Sequence, residues 1–149
     1  MYATATTHLP HPIATVVEHV FADVDPSTWL PELHRLDAGR WDEPGARAVL
    51  RLGVPRWSEP VVVTTTRVVR TTVTATGVGP DGATVEVCLS LSPWDGGTAV
   101  LLSVDAEGRD RPLLSWSLTR RLEAALVRLA GELAGLLTGT GSAAGRARP

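Results

Sequence analysis

Leucines at 114, 118, 122, 126, 129, 133 and 137 recur every three or four residues, and a helix of about 3.6 residues per turn gathers them into one stripe. At about 1.5 Å per residue the stretch 112–137 is roughly 39 Å long, the length of a small domain. Arg120, Arg121, Glu123, Arg128 and Glu132 fall at or beyond the edges of the stripe, so the helix is expected to be packed on one side and wet on the other. Asp110, ahead of Pro112, reads as its N-terminal stop and Gly139 as its C-terminal one. A rod with one greasy side needs a partner surface. The expectation is a curved antiparallel sheet, supplied by most of the remaining chain, that wraps the helix and leaves an apolar cavity between them.

Ahead of the rod the pattern changes several times. Residues 2–9 mix Thr and Ala with one Tyr and predict a first strand. Pro12 stands where a first helical turn tolerates it, and Ile13, Val16, Val17, Val20, Phe21 and Val24 follow at helical spacing, with Glu18 and His19 on the solvated side. Asp25-Pro26-Ser27-Thr28 signals a second short helix, with Asp25 as cap and Pro26 in its first position; Trp29 and Leu30 ride on it. From Leu36 the period becomes alternating: 36–41 and 47–52 predict strands around the turn Glu43-Pro44-Gly45. Residues 61–78, rich in Val and Thr, exceed one strand and are expected to fold back near Arg70-Thr71. After a turn at Gly79-Pro80-Asp81-Gly82, the residues Val85, Val87, Leu89 and Leu91 alternate with Glu86, Cys88, Ser90 and Ser92. Asp95-Gly96-Gly97 makes a further hairpin, and Val100, Leu102 and Val104 continue the buried face. Residues 139–149 have no apolar period and predict a flexible Gly/Ala/Arg tail, which leaves 1–138 as the folded domain.

A chain of 149 residues can bury one real core. Its formal charge of -2 gives no basic excess to recruit nucleic acid by counterion release. No apolar run approaches the roughly 20 residues that span a bilayer, and the N-terminus lacks the charged start and long apolar run of a signal peptide. A cytoplasmic protein with no stable membrane insertion is therefore expected. Cys88 is the sole cysteine, which excludes an intrachain disulfide and a cysteine-based metal cluster. His8, His11, His19 and His34 are spread over loops, a strand end and an outer helix face without metal-site spacing, so neither metal nor cofactor is expected. Lys, Asn and Gln are absent. Polar contacts in any pocket must then come from Ser, Thr, Arg, Asp, Glu, His, Tyr or a Trp N–H.

The order is strand, two short helices, about six more antiparallel strands and a long C-terminal helix. Three local sequences accompany it: Pro12 leading into Val17-Glu18-His19-Val20-Phe21-Ala22-Asp23, then Trp29-Leu30-Pro31, then Asp95-Gly96-Gly97-Thr98-Ala99-Val100. Together they resemble the START-like (SRPBCC) superfamily, in particular its polyketide cyclase/dehydratase-like branch. The resemblance implies an α+β helix-grip (Bet v 1-like) fold, with a curved sheet of about seven strands around the last helix. It also implies an internal cavity for a small hydrophobic, aromatic or polyketide-like molecule, and the superfamily holds both enzymes and carriers. Cyclisation or dehydration by confinement of a reactive chain is one reading. A non-catalytic carrier or sensor of lipids or isoprenoids is the alternative, and a homodimer stays open.

Candidate ligand contacts are Trp29, Trp57 and Trp116, of which Trp116 falls outside the leucine stripe and is placed to cover a cavity mouth. Arg47, Val87, Leu89 and Leu102 complete the set. For catalysis, Arg67 shares a face with Val61, Val63 and Thr65; if that face is concave its guanidinium enters the pocket, where it could stabilise an enolate. In the opposite register Val62, Thr64, Thr66 and Val68 are inside and Arg67 meets solvent. His34, after the second helix, is the best single candidate for proton transfer.

Overall fold

Strict alternation of apolar and polar side chains gives a sheet one greasy face, and here seven strands share it. They are β1 (Tyr2–Leu9), β2 (Leu33–Arg35), β3 (Arg47–Leu50), β4 (Val61–Val69), β5 (Thr72–Val78), β6 (Thr84–Trp94) and β7 (Gly97–Ala106). All pair antiparallel in the spatial order β1-β7-β6-β5-β4-β3-β2. In the computed structural model, residues 1–23, 25–79, 82–108 and 112–146 are described, the side chains of Asp23 and of 137–146 excepted. The expected cap at Asp110, the end of the first helical pattern at Val24 and the centre of the turn at Pro80-Asp81 lie outside the described residues.

The long helix α2 (Pro112–Arg146) lies on the apolar face and approaches β1 most closely. Leu118, Leu122, Leu126, Leu129 and Leu133 are buried along its inner side. Each leucine taken out of water contributes on the order of 2 kcal/mol, so the stripe is what holds the helix down. Its backbone continues past Gly139, the stop read from the sequence, to Arg146. A glycine inside a helix costs only about 1 kcal/mol against Ala, and Ala143 and Ala144 follow one turn later. A helix tolerates such a residue where no αL turn ends it.

Between β1 and β2 the chain makes α1 (Ile13–Glu18), which runs into a π-helical turn over His19–Asp23, and then a 3₁₀ turn over Pro26–Thr28. Asp25 caps the 3₁₀ turn as its residue type suggests, its carboxylate accepting from the Ser27 N–H at 2.9 Å. Burial pushes the Asp25 carboxyl upward. The backbone N–H groups of Ser27 and Arg35, the Ser27 hydroxyl and the nearby His34 outweigh that and hold it below the usual carboxylate range.

Two expectations, one about a strand and one about the first helix, are corrected. Residues 36–41 form no strand; they belong to a loop over 36–46, where Gly39 at φ +92 breaks the extended path. Trp41 pins that loop inward. Its indole N–H donates to the Val20 carbonyl at 2.7 Å, and its ring meets Phe21 edge-on with centroids 4.8 Å apart. The second correction is His19, expected on the solvated side of α1 but buried, with Nε2 2.8 Å from Glu132 Oε1 on α2. His11 is buried as well, whereas Glu18 does face water and pairs with Arg40. The hairpins fall where the turn residues place them: Arg70, at φ +56, turns β4 into β5, and Asp95-Gly96, both at positive φ, turn β6 into β7.

Candidate functional site

Val63 and Thr65 on β4, Val73 and Ala75 on β5, Val87 and Leu89 on β6 and Leu102 on β7 point from the sheet into the space under α2. Trp29, Leu30 and Leu33 enter that space from the 3₁₀ turn and the start of β2, and Trp41 enters from the loop over 36–46. Together with Ala46, Arg47 and Ala48 they enclose a cavity of about 20 Å³. That is room for about one water molecule. The apolar cavity expected between sheet and helix is this small chamber, with the side chains of Trp29, Trp41, Leu30 and Leu33 among its walls.

The lining residues are apolar but for Arg47 at the rim, Thr65 and the N–H groups of the two indoles, of which that of Trp41 is spent on Val20. The Thr65 hydroxyl is already committed, donating to the Trp41 carbonyl at 2.9 Å. The indole N–H of Trp29, on a side chain with no exposed surface, has no hydrogen-bond partner. Leaving a buried donor unmade costs about 1–3 kcal/mol, and native interiors hold few such groups. Trp29 is a lining residue of the chamber, and its N–H is a donor left without a partner.

Of the residues singled out from the sequence, Trp29, Val87, Leu89 and Leu102 meet at the chamber. Arg47 is at its rim, but its guanidinium turns outward onto Asp37, with Nη2 3.0 Å from Oδ1. That hydrogen bond, more than any other influence, lowers the Asp37 carboxyl below its usual range. Trp57 lies elsewhere. Buried in the connection between β3 and β4, it donates its indole N–H to the Glu107 carbonyl at 3.0 Å and lines a separate depression of about 210 Å³ with Pro55, Arg56 and Leu114. Its ring presses so closely on Gly79 that a Cβ there would sit 2.5 Å from it. Trp116 covers no mouth; it stands on the outer side of α2, 62 % exposed, with the Arg120 guanidinium 5.5 Å above its ring.

The two catalytic candidates are both outside the chamber. Val61, Val63 and Thr65 do face the concave side, the register that would have carried Arg67 inward. A β-bulge between Thr65 and Arg67 then inserts one residue and turns Arg67 onto the outer surface beside Val69, Thr72 and Thr74. His34 is on the outer face of β2, where Nδ1 lies 3.2 Å from Asp25 Oδ2. Among the described residues no three His, Cys, Asp or Glu side chains come together in a way that could hold a metal ion. No described helix is long and apolar enough to cross a membrane.

Sequence reasoning missed Trp41, Leu33 and Thr65 as chamber residues. Trp41 falls in the stretch read as a strand, and Thr65 carries no signal apart from the alternation it shares with its neighbours.

No protein-family model matches the chain, and no curated protein matches it. Solved structures do match in fold. A START superfamily protein from Mycobacterium smegmatis superposes with a TM-score of 0.65 at 17% identity, over 91% of this chain and 98% of that one. DynU16, from the dynemicin biosynthetic locus, gives 0.64 at 20% identity, over 93% of this chain and 48% of that one. Ara h 8.0201 gives 0.61 at 14% identity, over 91% and 98%. A curled seven-stranded antiparallel sheet gripping a long C-terminal helix, with short helical turns after the first strand, is the helix-grip fold of START-like and Bet v 1-like proteins. This chain has that fold.

Proposed function

We propose that the chain binds one small hydrophobic molecule under α2, held by apolar contacts and by a single hydrogen bond from the Trp29 indole N–H to an oxygen acceptor such as a ring carbonyl. The observation that carries this reading is the unspent donor of Trp29, a side chain that lines a mostly apolar chamber. A pocket of that character selects shape first and one polar atom second. At about 20 Å³ the chamber is a closed state, and the ligand enters by displacing the loop over 36–46 that carries Trp41.

Binding without catalysis is preferred to cyclisation or dehydration. Moving a proton in the chamber needs an ionisable group free to act there; Arg47 at the rim is turned onto Asp37, and neither Arg67 nor His34 lines the chamber. The resemblance read from the sequence to the polyketide cyclase/dehydratase-like branch puts polyketide-like aromatics among the ligands to be tried first.

The test is titration with an anthraquinone and, separately, with a saturated fatty acid, followed in the ¹H–¹⁵N spectrum through the indole signals of the five tryptophans. The expected result is saturable binding of the quinone that moves the Trp29 indole signal most, with Trp29→Phe weakening affinity about tenfold, the worth of one hydrogen bond of about 1.4 kcal/mol. Absence of saturable binding by either probe, or binding that leaves the Trp29 signal in place, would overturn the proposal.

A further inference from the structure

The outer side of α2 carries large apolar side chains among its charged and small polar ones. Leu113, Trp116 and Val127 are 80 %, 62 % and 72 % exposed, and their spacing sets them on one face with Arg120 and Glu123 between them. Scattered exposed apolar residues are ordinary, but a row of them along one helix face marks a contact surface. Neither Arg120 nor Glu123 is in an ion pair among the described residues, although each has the other's sign within reach along the row.

We infer that this face pairs with the same face of a second copy of the chain, α2 against α2, antiparallel about a two-fold axis. The sequence of the row selects both the occupant and the register. A two-fold axis centred between 121 and 122 sets Arg120 opposite Glu123 of the partner subunit and, with no further adjustment, Trp116 opposite Val127 of the partner subunit. Each contact occurs twice, as an isologous interface requires. Sliding one helix by a turn either stacks Arg120 on its own copy or buries its guanidinium against valine, so the charges reject the neighbouring registers in the way flanking charges do in coiled coils. Beside Trp116 the Arg120 guanidinium is already held over the indole ring, which limits the side-chain freedom lost on pairing. One helix pair buries less than the roughly 1,200 Å² of a stable interface, so the association is weak and visible only at elevated concentration.

Sedimentation equilibrium of the full chain across the micromolar range tests this. The wild type is expected to pass from monomer to dimer as concentration rises. Val127→Glu and Trp116→Ala are expected to remain monomeric with unchanged far-UV circular dichroism, since both side chains are exposed. Arg120→Glu and Glu123→Arg, taken singly, replace two attractions by two repulsions and weaken the dimer about tenfold; combined in one chain they restore it. A wild type that stays monomeric throughout, a dimer indifferent to Val127→Glu, or a charge-swapped double variant no better than its parents would overturn the inference.

Discussion

His19 Nε2 lies 2.8 Å from Glu132 Oε1 and joins the π-helical turn after α1 to the middle of α2 across 113 residues of sequence. An ionised carboxylate can only accept, so the ring nitrogen facing it carries the proton. The imidazole is buried while the carboxylate keeps a quarter of its surface in water, which makes the histidine the partner that suffers when the bond is lost. The contact fixes the turn, and with it the Val20 carbonyl that receives the Trp41 indole N–H.

Glu132→Ala is expected to lower unfolding free energy by about 1–3 kcal/mol, because it strands a buried donor. Glu132→Gln keeps an acceptor oxygen at the same reach and should lose less than half of that. Urea denaturation of the three proteins measures it. Equal losses in both variants would show that charge, and not satisfaction of the imidazole N–H, is what the pair provides.

How far the residues foretell this arrangement depends on whether the local signal is also the deciding one. The leucines of α2 and the alternation of Val85, Val87, Leu89 and Leu91 report burial directly, and Asp95-Gly96 reports a turn whose backbone angles other residues resist. The helix-grip order of elements follows from these. A 3.6-residue wheel sets His19 on the wet side because it cannot represent the change of phase that the π turn introduces at that point. Arg67 was left between two registers, and the outcome was fixed by neither: the concave register holds up to Thr65, and the bulge after it reverses the side. Thr65-Thr66-Arg67 contains no glycine or proline to announce a bulge. The size of the chamber was illegible for another reason, since volume depends on how Trp29 and Trp41 turn in three dimensions.

Asp25 ties stability to pH. Its folded carboxyl sits below the usual range because hydrogen bonds to its charged form outweigh the upward push of burial. A depressed folded value means that the carboxylate's contribution is fully present above the unfolded value of about 3.9 and is lost as pH falls through the folded one. Asp25→Ala should therefore be less stable than the wild type by about 1 kcal/mol near neutral pH, the usual worth of a cap. The two should converge on acidification below the ordinary carboxylate range. Chemical melts across that interval check it, and a gap that persists at the acid end would assign the loss to packing instead of to the charged cap.

Asp37 and Arg47 hold down the loop that covers the chamber. The Asp37 carboxylate accepts from the Arg47 backbone N–H at 2.9 Å and from its guanidinium at 3.0 Å, across the open end of the segment that carries Trp41. Both side chains are substantially exposed, so the pair adds little to global stability. Its leverage is on local opening, which draws on the least protected contacts of a structure. Asp37→Ala is expected to leave the melting temperature nearly unchanged while speeding amide hydrogen exchange at Trp41, whose N–H donates to the Phe21 carbonyl, several-fold and raising the association rate of an anthraquinone probe by a similar factor. Because Arg47 keeps the Asp37 carboxyl below its usual range, the wild type should acquire the faster rates only at pH values under that range, whereas the variant shows them at neutral pH. Exchange at Trp41 reads the loop whether or not a ligand binds. If that exchange is unaltered in Asp37→Ala, the loop is held by the Trp41 indole and its Val20 acceptor, and the ion pair is not the latch.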